Sequence, residues 1–190
     1  MKGIININKP QEFTSHDCVA ILRRLVGVKR VGHTGTLDPM ATGVLPLCVG
    51  TATRIIEYLD NDRKEYRCTM ELGIHTNTCD IWGEVLERKD ADHLTEEEIR
   101  AAFDLFIGKI SQVPPIYSAL KIKGKKLYEY ARAGQEVEIK PREIMIYSLD
   151  VEEIKGRQVT FCVTCGKGTY LRSICRDVGS VLGVGGTMTG

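Results

Sequence analysis

Apolar residues recur along this chain in two rhythms, every third or fourth position in some stretches and every second in others, and each rhythm predicts a different element. In TSHDCVAILRRLVG, Val19, Leu22 and Val26 lie at helical spacing between an N-cap, Thr14 or Ser15, and Gly27 as a stop signal. TEEEIRAAFDLFIG predicts a second helix more sharply. Thr95 and Glu98 fit a capping box, Ile99, Ala102, Phe103 and Phe106 form the apolar stripe, and Gly108 ends it. Its acidic first turn also suits the helix dipole. TYLRSICRDVGSVLG gathers Leu171, Ile174, Cys175, Val178 and Leu182 on one face and predicts a helix over 169–182, closed by Gly183.

The period of two appears in EYRCTMELG, where Tyr66, Cys68, Met70 and Leu72 alternate with polar residues. It returns in IMIYSLDVEEIKGRQVTFCVTCG, which predicts a hairpin turning near Lys155 and Gly156. Helices and strands mix without a regular βαβ rhythm, so the expected class is α+β, with a mixed, largely antiparallel sheet flanked by helices and loops.

Length adds that one core is expected: 190 residues, 43% of them apolar, predict a single domain over 1–190. MKGIININKP lacks the apolar run of a signal peptide, and no stretch of about 18 apolar residues suggests a membrane span. The seven cysteines are an odd number, and Cys18, Cys48, Cys68 and Cys175 sit in apolar or mixed segments where a thiol acts as a small hydrophobe. A soluble, unprocessed protein of the reducing cytoplasm is expected.

The net charge of +1 hides an uneven distribution. Residues 1–54 carry seven basic and three acidic side chains, residues 121–142 again seven and three, and residues 84–104 three and eight. Two basic segments therefore flank an acidic one, which fits either a surface with a polyanion-binding side or ordinary solvated faces.

Two motifs lose weight on inspection. CVTC at 162–165 has metal-ligand spacing, but residues i and i+3 of a strand face opposite sides and no second ligand pair lies at zinc-ribbon distance. GKGT at 166–169 lacks the full phosphate-loop pattern and reads as a strand-to-helix turn, one that sets Lys167 near a helix N-terminus. A third stretch gains weight. GHTGTLDPMATGVLP holds one carboxylate, Asp38, among glycines, threonines and prolines, with Lys29, Arg30, His33 and Arg54 around it. Alone, an Asp before Pro is a turn former. Among basic residues, hydroxyls and glycines that admit close backbone approach, it reads as part of a site for a polyanionic ligand.

GHTGTLDPMATGVLPLCVGTATR resembles the signature segment of the bacterial tRNA pseudouridine-55 synthases, the TruB family. INKPQEFTSHD, KEYRCTMELGIHTNTCDIWGEV, PPIYSALKIKGKKLYEYARAG and CGKGTYLRSICRDVG follow in the order of that family, so the resemblance spans nearly the whole chain. It implies a pseudouridine-synthase-like catalytic domain that isomerises a uridine in the TΨC arm of tRNA. Breaking the N-glycosidic bond and rejoining the ribose to carbon 5 of the base needs neither metal nor organic cofactor. Expected partners are the tRNA stem-loop alone, with no membrane and no obligate protein partner.

The resemblance also implies roles. Asp38 corresponds to the nucleophile, whether it attacks the ribose anomeric carbon, attacks carbon 6 of the uracil, or promotes a glycal-like intermediate. Arg172 is expected to pair with Asp38, with an ordinary phosphate contact as its alternative. Tyr66 would stack on the flipped uracil and offer its hydroxyl for proton transfer; His33 would support extrusion of the nucleotide; Tyr170 would line the pocket. For each of these three, structural packing is the competing role. Lys9 and Pro10 are expected to be structural beside the site. Lys121, Lys123, Lys125 and Lys126 would lie near RNA phosphates, with Gly124 permitting the turn between them.

The family continues past VGGTMTG into a further strand and an RNA-binding region, so a C-terminally shortened chain is expected, with mobile glycine-rich final residues and uncertain activity. Two rival classes remain. A glycosidase would need a second carboxylate about 5 to 9.5 Å from Asp38. A non-catalytic RNA-binding module would have no use for a carboxylate facing phosphates.

Overall fold

The computed structural model describes residues 1–59 and 63–190. Contacts divide the chain into two compact units, Met1–Asp60 and Asn61–Gly190.

In the first unit, β1 (Gly3–Lys9), α1 (Ser15–Val26), β2 (Val31–His33) and β3 (Gly43–Val49) build a three-stranded antiparallel sheet of order β1-β3-β2 with one helix on it. Helix α1 starts where its side chains can satisfy the first free amides. Thr14 Oγ1 accepts from the Asp17 N–H at 3.1 Å, and the Asp17 carboxylate accepts from the Thr14 N–H at 2.9 Å. It stops at Gly27, which takes φ of 64°. Its apolar face, Cys18, Val19, Leu22 and Val26, packs on Val31, Leu45, Leu47 and Val49 of the sheet. A 3-10 helix, Gly50–Tyr58, closes the unit.

Strand β3 is central although it contains Pro46. The Pro46 carbonyl accepts from the Thr34 N–H at 3.1 Å, so its ring nitrogen faces the same side, where β2 has already ended at His33. The missing donor therefore removes no ladder bond.

The second unit contains β4 (Lys64–Leu72), β5 (Ile74–Thr76), β6 (Val85–Arg88), α2 (Glu96–Asp104), β7 (Gly108–Gln112), β8 (Lys121–Ile122), β9 (Lys125–Lys126), α3 (Leu127–Arg132), β10 (Arg142–Lys155), β11 (Gln158–Cys165), α4 (Leu171–Val181) and β12 (Gly186–Met188). Five strands form one antiparallel sheet in the order β12-β4-β11-β10-β7. Cys68, Met70 and Leu72 of β4 and Val159, Phe161, Val163 and Cys165 of β11 share its buried face. Helices α2 and α4 pack there, with the Phe103 ring 5.0 Å from that of Phe161. The class is α+β. Among the described residues no helix is long and apolar enough to cross a membrane.

The β10–β11 hairpin turns through Gly156 and Arg157, with Lys155 opposite Gln158, as its sequence predicts. Two expectations need correction. Helix α2 ends at Asp104, not at Gly108, because Phe106 and Ile107 donate to the carbonyls of Phe103 and Asp104 in a tightened i+3 turn, and Gly108, at φ of 98°, already opens β7. The glycine-rich end is an edge strand and not a mobile tail. β12 is buried against β4, and the Gly190 carbonyl accepts from the Thr69 N–H at 2.7 Å. Its glycines serve close packing: a Cβ on Gly179 of α4 would collide with the backbone of Gly185 and Gly186.

Candidate functional site

In the first unit the loop between β2 and β3 carries Asp38, and its backbone is held on both sides of that residue. Ser15, the first residue of α1, accepts from the Leu37 N–H at 2.9 Å through its hydroxyl. Pro39 is held through its carbonyl, which accepts from the Glu12 N–H at 2.8 Å and from Lys9 Nζ at 3.3 Å. A turn bond from the Ala41 N–H to the Asp38 carbonyl, 3.0 Å, closes the loop, and Met40 is buried beneath it. Asp38 itself is half-buried.

Lys9 is the buried hub of this loop. It continues the inward face of Ile5 and Ile7 and is 0% exposed. Its ammonium donates to the carbonyls of Pro10 at 2.8 Å and Phe13 at 2.7 Å as well as to Pro39. Burial pushes its pKa below the ordinary lysine value, and the charges of Cys18 and Asp38 partly oppose that. These acceptors tie the segment between β1 and α1 to Pro39 of the loop that bears Asp38, a structural role. His33 ends β2 half-buried. Burial lowers its pKa, the Gly35 backbone works against that, and His16 adds to the lowering. Its Nδ1 is buried and meets no hydrogen-bond partner among the described residues.

In the second unit Arg172 lies in the first turn of α4, buried with 7% exposure. Its guanidinium donates to the Thr78 carbonyl at 3.3 Å, the Tyr117 carbonyl at 3.2 Å and the Asp80 carboxylate at 3.4 Å. Asp80 is buried too and is fixed in its turn by the Thr78 hydroxyl at 2.7 Å and the Trp82 N–H at 3.2 Å. A buried arginine with this set of acceptors has a set direction as well as a charge. Thr78, Asp80 and Tyr117 were not singled out in the sequence. The TNTCD run preceding Ile81 was the available signal, since Thr and Asp two residues apart favour side-chain-closed turns.

Tyr66 is half-buried on the inward face of β4, in line with Cys68 and Met70 and opposite Val163 of β11. Tyr170 is half-buried at the entry to α4. Gln112 grips its backbone: Oε1 accepts from the Tyr170 N–H at 2.9 Å and Nε2 donates to the Tyr170 carbonyl at 3.1 Å. The two cysteines of CVTC part company, Cys165 buried and Cys162 turned toward Glu65 at 3.8 Å.

The lysine-rich segment forms the small hairpin β8–β9, turned by Lys123 and Gly124, both at positive φ, and leads into α3. Lys121 and Lys123 are exposed. Lys125 lies 4.6 Å over the Tyr130 ring, and Lys126 5.3 Å from that of Tyr128, whose hydroxyl it meets at 3.2 Å. The four lysines thus divide into two that reach solvent and two that stiffen the hairpin on aromatic faces.

Residues 23–171 match the model of the TruB family pseudouridylate synthase, N-terminal domain. The chain is 50% identical over 188 residues to tRNA pseudouridine synthase B of Clostridium tetani (strain Massachusetts / E88), covering 99% of this chain and 65% of that relative. It is 52% identical over 189 residues to the enzyme of the same name from Alkaliphilus oremlandii (strain OhILAs), covering 100% of this chain and 63% of that one. The chain therefore spans just under two thirds of these relatives. A chain from the structure of an H/ACA RNP bound to a substrate RNA containing 2'-deoxyuridine superposes with a TM-score of 0.72 at 31% identity, over 98% of this chain and 44% of the other.

Proposed function

Because the chain belongs to the TruB family of pseudouridylate synthases, we propose that this protein isomerises a uridine of tRNA to pseudouridine, at position 55 in the TΨC arm. The target base leaves the stack, as chemistry on a base within a folded arm requires. Asp38 is the nucleophile that lets the N-glycosidic bond break; the base turns, carbon 5 joins the ribose as Asp38 returns to the free carboxylate, carbon 5 gives up its proton and N1 takes one up, so the net change is an isomerisation. Arg172 orients the Asp38 carboxylate through a charge-assisted contact. Tyr66 stacks on the uracil with its hydroxyl in reach of the departing proton, and Tyr170 lines the pocket. His33, kept neutral near pH 7 by its lowered pKa, fills the space the base vacates. Lys121 and Lys123 meet RNA phosphates.

The observation that carries this reading is the anchoring of Asp38. A carboxylate whose two neighbours are tied down by Ser15, Glu12 and the buried Lys9 enters a reaction without reorganising its loop. The test is incubation with an unmodified TΨC hairpin and mapping of pseudouridine. Asp38→Asn should abolish product while hairpin affinity stays within a few-fold, since loss of a negative charge cannot harm phosphate contacts. Product formation near the wild-type rate by that variant would remove Asp38 from the chemistry, whereas hairpin binding by the wild type without any product would leave an RNA-binding module, the second reading.

A further inference from the structure

We propose that Gln112 is a positioning residue for the reaction, acting through the first turn of α4 on Tyr170 and Arg172; this rests on the function proposed above. Gln112 ends the edge strand β7 and is 2% exposed. A buried glutamine needs its amide satisfied, and this one is satisfied by one residue, Tyr170, whose N–H and carbonyl it both engages. In effect the side chain continues the pairing of β7 by one rung, onto the residue that opens α4.

The bonds that follow point to the same turn. The Val113 carbonyl accepts from the Ser173 hydroxyl at 2.9 Å and from Arg176 Nη2 at 2.9 Å. The Tyr117 carbonyl accepts from Arg172. Segment 112–117 therefore brackets residues 170–176 through side chains and carbonyls. Of these bonds, those of Gln112 are the ones that act on backbone at the start of α4. Tyr170 is the N-cap of α4, and its side chain makes no capping bond, so the entry angle of the helix depends on what holds residue 170 from outside. Release of that grip lets the helix start fray by a residue. Arg172 then leaves the direction set by Thr78, Asp80 and Tyr117, while Lys121 and Lys123, the phosphate contacts proposed above, are untouched.

The test uses Gln112→Met, which keeps length and volume but loses both bonds, and Gln112→Glu, which keeps an acceptor for the Tyr170 N–H but opposes its carbonyl. Single-turnover rates and hairpin affinity are measured for both, with thermal melting to verify folding. For Gln112→Met the expected result is a chemical step about 100-fold slower, the cost of a small misplacement, with hairpin affinity within about three-fold of wild type. Gln112→Glu, carrying a partial grip, decides the matter if the first variant does not fold, and should likewise lose rate and keep affinity. The discriminating measurement is a cycle with Arg172→Lys: if Gln112 acts through Arg172, removing its bonds in that background costs little more. A folded variant with unchanged rate, a loss confined to affinity, or fully additive losses would overturn the proposal. An inactive wild-type protein would sink the functional reading and this inference with it, whereas an active wild type with an indifferent Gln112 sinks only the inference.

Discussion

Single residues in this protein owe their character to burial more than to type. Lys9 is a surface residue by chemistry and a wholly buried one by position, held by three carbonyls around the Asp38 loop. His33 shows the same effect in its titration. Burial lowers its pKa below the ordinary 6.5, so the unfolded chain binds the proton more tightly than the folded one. The stability contributed by neutral His33 is complete above about pH 6.5 and is lost as pH falls through the lowered folded-state value. Thermal melts of wild type should therefore fall more steeply from about pH 7 to about pH 5 than melts of His33→Gln. Parallel curves would show that burial at His33 has no such effect.

At the scale of elements, legibility followed the locality of the signal. Helix α1 is legible from an N-cap residue, helical apolar spacing and the Gly27 stop, and the start of α2 from a capping box written within four residues. Strand β4 was legible because its alternation runs unbroken from Tyr66 to Leu72. Strands β1 and β3 are poorly legible: β1 alternates Ile with Asn over a short run, and β3 carries a proline that argues against the central place it occupies. Strand β12 looks like a loose end in the sequence because glycine has no side chain with which to signal packing. The structure gives those glycines a purpose that can be tested. Gly179→Ala gains helix propensity of about 1 kcal/mol but forces a methyl into the backbone of residues 185 and 186, and should cost about 3 kcal/mol net by melting. The neighbouring exposed Ser180→Ala should be neutral or slightly stabilising. A stable Gly179→Ala would mean that α4 and β12 have room to separate.

For the whole molecule, a net charge of +1 gives no general attraction to RNA, so affinity must come from where the positive groups sit. The division of the lysines on β8–β9 makes that a measurement. Lys121→Ala with Lys123→Ala should flatten the dependence of log affinity on log salt by about one unit for each phosphate that a lysine no longer neutralises. Lys125→Ala with Lys126→Ala, which removes cations resting on tyrosine rings, should change the slope less and the stability of the hairpin more. Equal slopes for both pairs would erase the distinction. By itself the sequence determined the class, the caps, the main alternating strands and the family, with Asp38 marked within its signature, because each of these is encoded in residues adjacent along the chain. Only the tertiary structure decided that Arg172 would meet Thr78, Asp80 and Tyr117, that Gln112 would grip Tyr170, and that Lys9 would be buried under the Pro39 carbonyl. Such partners lie 30 to 94 residues apart, and what selects them is the demand that every polar group taken into the interior find a bond there, a demand that arises only once distant segments are packed together.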